Sequence, residues 1–135
     1  MTPKAIIKSL NLHPHPEGGW YTETWRGDQT PRAVGTAIYF LLEAHQFSHW
    51  HRVDAVEIWH WYAGNPMELH IHEDGITRIE MLGPDIKADQ RPQHIVPKDT
   101  WQRSIPVNGW VLAGCTVSPG FEFKGFTMAK PEWNP

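Results

Sequence analysis

Apolar and polar positions along the chain follow two different periods. Thr2-Pro3 has the form of a helix N-cap followed by proline at the first helical position. AIIKSLNL (Ala5 to Leu12) then carries about two turns of amphipathic helix. HPHPEGG (His13 to Gly19) ends it with two prolines and two glycines. Beyond that point the period drops to two, the spacing of side chains on one face of a strand. WYTETW (Trp20 to Trp25) alternates, whereas TAIYFLLE (Thr36 to Glu43) is apolar on both faces. VEIWHWYA (Val56 to Ala63) runs into the turn Gly64-Asn65-Pro66. MELHIHE (Met67 to Glu73) and ITRIEML (Ile76 to Leu82) flank Asp74-Gly75, a strong hairpin signal. Gly83 to Gln93 is polar and contains proline, which predicts a loop. HIV and TWQRSIPV lead to a second hairpin signal at Asn108-Gly109, and WVLAGCTV, SPGFEF and FTMA follow. The tail KPEWNP reads as extended.

Roughly nine or ten short strands joined by tight turns predict an all-β sandwich or small barrel. A jelly roll accommodates that strand count. Repeats, linkers and low-complexity segments are absent, so residues 1–135 are expected to form a single domain.

Composition changes this picture in a few places. Hydrophobic residues make up 40% of the chain and charged residues 20%, as in an ordinary globular protein. A net charge of -3 gives no general attraction to nucleic acid or to anionic lipid. No apolar run approaches the ~20 residues that span a bilayer. The N-terminal stretch lacks a small-residue cleavage site and reads as mature protein, which predicts a cytoplasmic location. Cys115 is the only cysteine and is expected to be a small buried core residue. Eight tryptophans and nine histidines are many for 135 residues. They supply stacking surfaces, ligands and proton carriers.

The chemistry concentrates in SHWHRVDAVEIWHWYAG, Ser48 to Gly64. Strand parity puts His49 and His51 on one face and Trp50 on the other. In the next strand Glu57, Trp59 and Trp61 share a face, and Ile58, His60 and Tyr62 share the opposite one. With His49, His51 and Glu57 all inward, two imidazoles and a carboxylate would meet. That set suits iron, manganese, nickel or zinc with open positions for water or substrate. The alternative is a polar pocket lining without metal. His70 and His72 share a face with Glu68 and read as a solvated strand face. His13 and His15, in the proline-rich loop, do not read as ligands. Trp59, Trp61, Trp101 and Trp110 could stack on a planar ring or pack as core.

At this point the sequence resembles a known family. His49-Trp50-His51, five residues, Glu57, six residues and Gly64 follow the first cupin motif. PKDTWQ occupies the second motif, with Pro97 at its Pro, Asp99 at its Gly and Gln102 at its His. LHPHPEGGWYTETWR, GTAIYFLLE, MELHIHEDG, LGPDI and VLAGCTVSPGFEFKGF extend the likeness to the Cupin-5 family over nearly the whole chain. The resemblance implies a double-stranded β-helix barrel, usually a homodimer, and no particular activity. It carries a tentative metal set of His49, His51, Glu57 and Gln102, although glutamine is a poor ligand beside imidazole.

Three functions are compatible with these residues. One is binding of a small polar metabolite, sugar-like in kind, by His49, His51, Glu57, Trp59 and Gln102. Another is a metal-dependent dioxygenase or isomerase. A third is a metal-free epimerase or isomerase with His51 as general base. Nucleophilic triads, phosphate-binding glycine loops and CxxC pairs are missing. The double-sided apolarity of TAIYFLLE argues for a homodimer.

Overall fold

A computed structural model describes residues 1–135. The helix α1 (Pro3–Leu10) starts where the sequence predicts. Thr2 Oγ1 accepts from the Ala5 N–H at 3.2 Å, and Pro3 needs no hydrogen-bond acceptor in the first turn. Asn11 ends the helix in the left-handed region, φ 55°. No helix is long and apolar enough to cross a membrane.

Eleven strands follow: β1 (His13–Pro14), β2 (Trp20–Arg26), β3 (Thr36–Leu42), β4 (Ser48–Val53), β5 (Val56–Gly64), β6 (Met67–Glu73), β7 (Ile76–Leu82), β8 (Gln93–Val96), β9 (Trp101–Pro106), β10 (Val111–Ser118) and β11 (Phe126–Met128). They form two antiparallel sheets, ordered β1-β2-β3-β10-β5-β8 and β11-β4-β9-β6-β7. This is the jelly-roll arrangement expected from the strand pattern. Asp74-Gly75 closes the β6–β7 hairpin with both residues at positive φ, 54° and 77°. Gly64 ends β5 at φ 88°, where a Cβ would lie 2.5 Å from the Trp110 carbonyl oxygen.

Between the sheets lies a cluster that includes Phe40, Leu42, Trp59, Met67, Leu69, Leu82 and Val111. Burial of each such side chain stabilises the fold by about 1.5–3 kcal/mol. A second cluster lies outside the first sheet. There α1 lays Ile6 against Leu41, with Leu12, Trp20 and Trp110 around them. The outer face of TAIYFLLE is therefore covered in large part by the chain's own helix. Its apolarity on both faces needs no partner subunit to account for it.

Parity holds in β5, where Glu57 and Trp59 are buried and Val56 and Tyr62 are exposed. It fails in β4. Ser48 pairs with Ser104 and His51 with Gln102, so three steps along β4 oppose two along β9. The extra residue is a β-bulge. Ser48 stays inward, its Oγ 2.6 Å from that of Ser104. His51 also turns inward, and His49 turns out.

Candidate functional site

A cavity of about 290 Å³ opens at one end of the space between the sheets. Ile38, Val53, Val117 and Phe126 contribute to its apolar wall. His15, Glu17, His51 and Glu57 give it ionisable groups. His51 comes from β4 and Glu57 from β5, which lie in the two facing sheets. Glu17 comes from the turn after β1, where Gly18 has φ 109° and a Cβ would lie 2.2 Å from the Phe47 carbonyl oxygen. That close approach is secured by the His49 N–H, which donates to the Glu17 carbonyl at 2.7 Å.

His51 is almost fully buried, at 2% exposure. Its Nδ1 lies 2.8 Å from Glu17 Oε2 and also 2.8 Å from the His49 carbonyl oxygen. The Nδ1–H points at the carbonyl, so Glu17 Oε2 faces the ring as a charge without a hydrogen donor of its own. Phe126 stacks on the imidazole with centroids 5.4 Å apart. Nδ1 is thus engaged, and Nε2 remains for a bound molecule. Burial alone would lower the His51 pKa, but Glu17, then Glu57 and the His49 carbonyl, outweigh it and raise it to about 9. At neutral pH His51 is an imidazolium. Burial would raise Glu17, yet His51 holds it below its ordinary value.

Glu57 is pushed the other way. Burial, with Glu17 adding to it, raises its pKa against the opposing effect of His51. Gln102 Nε2 donates to Glu57 Oε1 at 2.8 Å, and buried Cys115 also lines the cavity. Gln102 is held in turn by Trp59, whose Nε1–H donates to Gln102 Oε1 at 2.8 Å. An indole N–H can only donate, so the amide orientation is fixed. His15 is a neutral ring. The Glu17 backbone N–H donates to its Nδ1 at 3.1 Å, which leaves the proton on Nε2. Burial lowers its pKa, although Glu17 partly opposes this.

These placements differ from the sequence reading at several residues. His51 and Glu57 meet as expected, and Gln102 reaches Glu57. His49 does not join them: its Nε2 donates to the Lys130 carbonyl at 2.8 Å on the outer side of the sheet, because of the bulge. Trp59 and Gln102 lie behind the cavity rather than in its lining. His13 and His15 do line it. Cys115 is buried as expected and also faces the cavity. His60 points outward to Thr116 Oγ1 at 3.1 Å. His70 is not solvated: it is buried beside Trp50, with Nε2 bonded to Glu68 at 2.8 Å. Glu17 and Phe126 escaped the sequence reading. A lone glutamate amid prolines and glycines was the available signal for the first.

The Cupin-5 model, described as Cupin superfamily (DUF985), matches residues 4–129. This chain is a Cupin-5 protein. A Shewanella oneidensis protein of known crystal structure is 36% identical, over 96% of this chain and 85% of the other, with a TM-score of 0.92. A hypothetical protein from Leishmania major is 30% identical, over 96% of this chain and 88% of the other, with a TM-score of 0.90. Bacillus subtilis oxalate decarboxylase shares the fold at a TM-score of 0.70, 12% identity, 88% of this chain and 30% of its own. Mn(II) centres are described for that enzyme. No curated protein matches the chain.

The donor set of this Cupin-5 protein does not fit such a metal. No three His, Cys, Asp or Glu side chains converge so as to hold an ion. Gln102 presents its N–H to Glu57 and has its oxygen committed to Trp59. An N–H cannot ligate a cation, and His49 faces away.

Proposed function

We propose that this protein binds a small, oxygen-bearing, sugar-like metabolite at the ionisable end of its barrel, without a metal among the contacts. One observation carries this reading: the buried Glu17–His51 pair leaves His51 Nε2 and the Glu57 carboxyl facing an apolar-walled cavity. Burying two charges costs several kcal/mol per ion before pairing offsets it. Polar groups of fixed direction set beside an apolar wall are the usual layout of a small-molecule site. Glu17 pairs with His51, and Arg26 pairs with Glu23 among the lining residues, so the cavity presents no free positive charge to an anionic group. An uncharged ligand with hydroxyl or carbonyl oxygens suits these paired charges.

The test is a thermal-shift screen with sugars, polyols and hydroxy ketones. A binder at 100 times its Kd should stabilise the parent by about 2.7 kcal/mol. His51→Ala should fold and give no shift. Equal stabilisation of the variant would reject the reading.

Pairing of two copies belongs to the same proposal. Val56, Tyr62 and Ile95 are exposed on β5 and β8 of the first sheet. Patches of this kind mark interfaces, most often two-fold ones. Light scattering at micromolar concentration should return a dimer mass, and a clean monomer would exclude it.

A further inference from the structure

We propose that the cavity catalyses proton transfer at the carbon beside a carbonyl group of an uncharged α-hydroxy ketone, with Glu57 carrying the proton and His51 holding the oxygen. This rests on the cavity being a small-molecule site and goes further, by assigning a reaction class and by making Glu57, not His51, the base.

The two groups are fixed for different tasks. His51 Nδ1 is committed to the His49 carbonyl and braced by Glu17 Oε2, both at 2.8 Å. A ring held on that side, with a buried carboxylate against it, presents Nε2–H to the cavity as a donor. A donor of fixed direction in a site shielded from water suits an oxygen that gains negative charge. Glu57 is an acceptor on β5 of the facing sheet. Gln102 holds one of its oxygens from behind, and Gln102 is itself locked by Trp59. The carboxyl plane is therefore set while its cavity side stays available. Glu17 and Gln102 are positioning residues; Glu57 and His51 touch the substrate.

The step balances without any further reactant. The Glu57 carboxylate takes the proton from the carbon next to the carbonyl. The C–H electron pair becomes a C=C bond, and the carbonyl π pair moves onto oxygen, which accepts from His51 Nε2–H. Return of the proton from Glu57 to the same carbon regenerates the ketone. Its return to the former carbonyl carbon yields the isomer, with His51 Nε2 giving its proton to that carbon's oxygen and recovering one from the hydroxyl of the first carbon, which becomes the new carbonyl. No oxidant or reductant is involved.

The experiment is proton NMR in deuterium oxide with hydroxyacetone, dihydroxyacetone and 3-hydroxybutan-2-one as probes. Saturation transfer reports binding, and loss of the α-proton signal reports exchange. The parent should bind at least one probe and exchange its α-proton faster than buffer does. Glu57→Gln should keep the binding signal and lose about 10²–10⁴-fold in exchange rate. Gln102→Leu should also bind and exchange more slowly, through misplacement of Glu57. Circular dichroism melts establish that each variant is folded. Binding without exchange by the parent overturns this proposal and leaves the binding reading intact. Undiminished exchange by folded Glu57→Gln overturns it as well. Absence of binding by every probe, with no exchange, rejects the hydroxy-ketone assignment, while a hit among sugars or polyols would keep the binding reading.

Discussion

Strand β5 points Glu57 into one end of the barrel and, two residues on, Trp59 into the other. β10 does the same with Val117 and Ala113, and β3 with Ile38 and Phe40. One end is filled: Phe40 and Trp59 meet edge to face at 5.5 Å, over Leu, Met and Val side chains. The other end is left open and holds buried ionisable groups. A set of strands with one register thus builds a core and a site in series. The boundary between them is the Trp59–Gln102–Glu57 hydrogen-bond chain. An amide in that position serves both sides. Its oxygen satisfies a buried indole, and its N–H orients a carboxyl group.

Substitution at that boundary should have the largest effect. Trp59→Ala removes a ring that is 1% exposed and orphans Gln102 Oε1. The expected loss is about 3–5 kcal/mol from the cavity alone, with a further part from the unpaired oxygen. Urea unfolding monitored by circular dichroism measures it. A loss below about 1 kcal/mol would mean that the filled end repacks freely and that the contrast with the open end is not real.

The open end should answer to pH instead. The folded pKa of His51 is raised from 6.5 to about 9. Its contribution is therefore fully present below 6.5 and is lost as pH rises through about 9. Glu17 is held below 4.5, so its contribution is present above that value and is lost as pH falls. The stability difference between the parent and Glu17→Gln should peak between the two ordinary values and fade toward alkaline pH. Its size should be about 2 kcal/mol, less than the ~3–5 of an orphaned buried charge, because His51 can shed its proton. NMR titration should find the His51 pKa lowered in the variant, where burial acts unopposed by Glu17. An unchanged His51 pKa would dissolve the pair.

Much of this was legible in the sequence, for reasons that differ from residue to residue. The period-two alternation in β5 predicted which side of the sheet Glu57 and His60 occupy, since parity is local. Asp74-Gly75 announced its hairpin because few residues accept positive φ. Asp99 stands where the second motif has glycine and adopts φ 59°, which aspartate tolerates better than most residues. Other features depend on partners distant in sequence. The bulge in β4 arises opposite β9, and no pattern within SHWHRV encodes it. TAIYFLLE is apolar on its outer face because α1 packs there, a tertiary fact. Glu17 enters the cavity through a glycine turn whose path is set by Phe47 and His49.

The smallest expected effect separates the two histidines of the His-x-His motif. His51 is sealed inside, whereas His49 donates to the Lys130 carbonyl and helps fix the C-terminal tail. That tail also bonds through Asn134 Oδ1 to Trp50 Nε1 at 3.1 Å, and Trp133 lies 4.9 Å from Trp101. His49→Ala removes one hydrogen bond at the surface, worth about 0.5–1.5 kcal/mol at most. The Trp50 and Trp133 contacts remain to hold the segment, so global stability should barely move. Local opening is the sensitive readout. Amide exchange should quicken at Ala129, whose N–H bonds the Trp50 carbonyl at 2.9 Å, while exchange in β5 and β10 stays unchanged. Any small molecule that binds the parent should bind His49→Ala with the same affinity, since the bulge keeps this ring out of the cavity. Loss of binding in His49→Ala equal to that in His51→Ala would show that both imidazoles serve one site, and the strand parity without the bulge would then be the better description of β4.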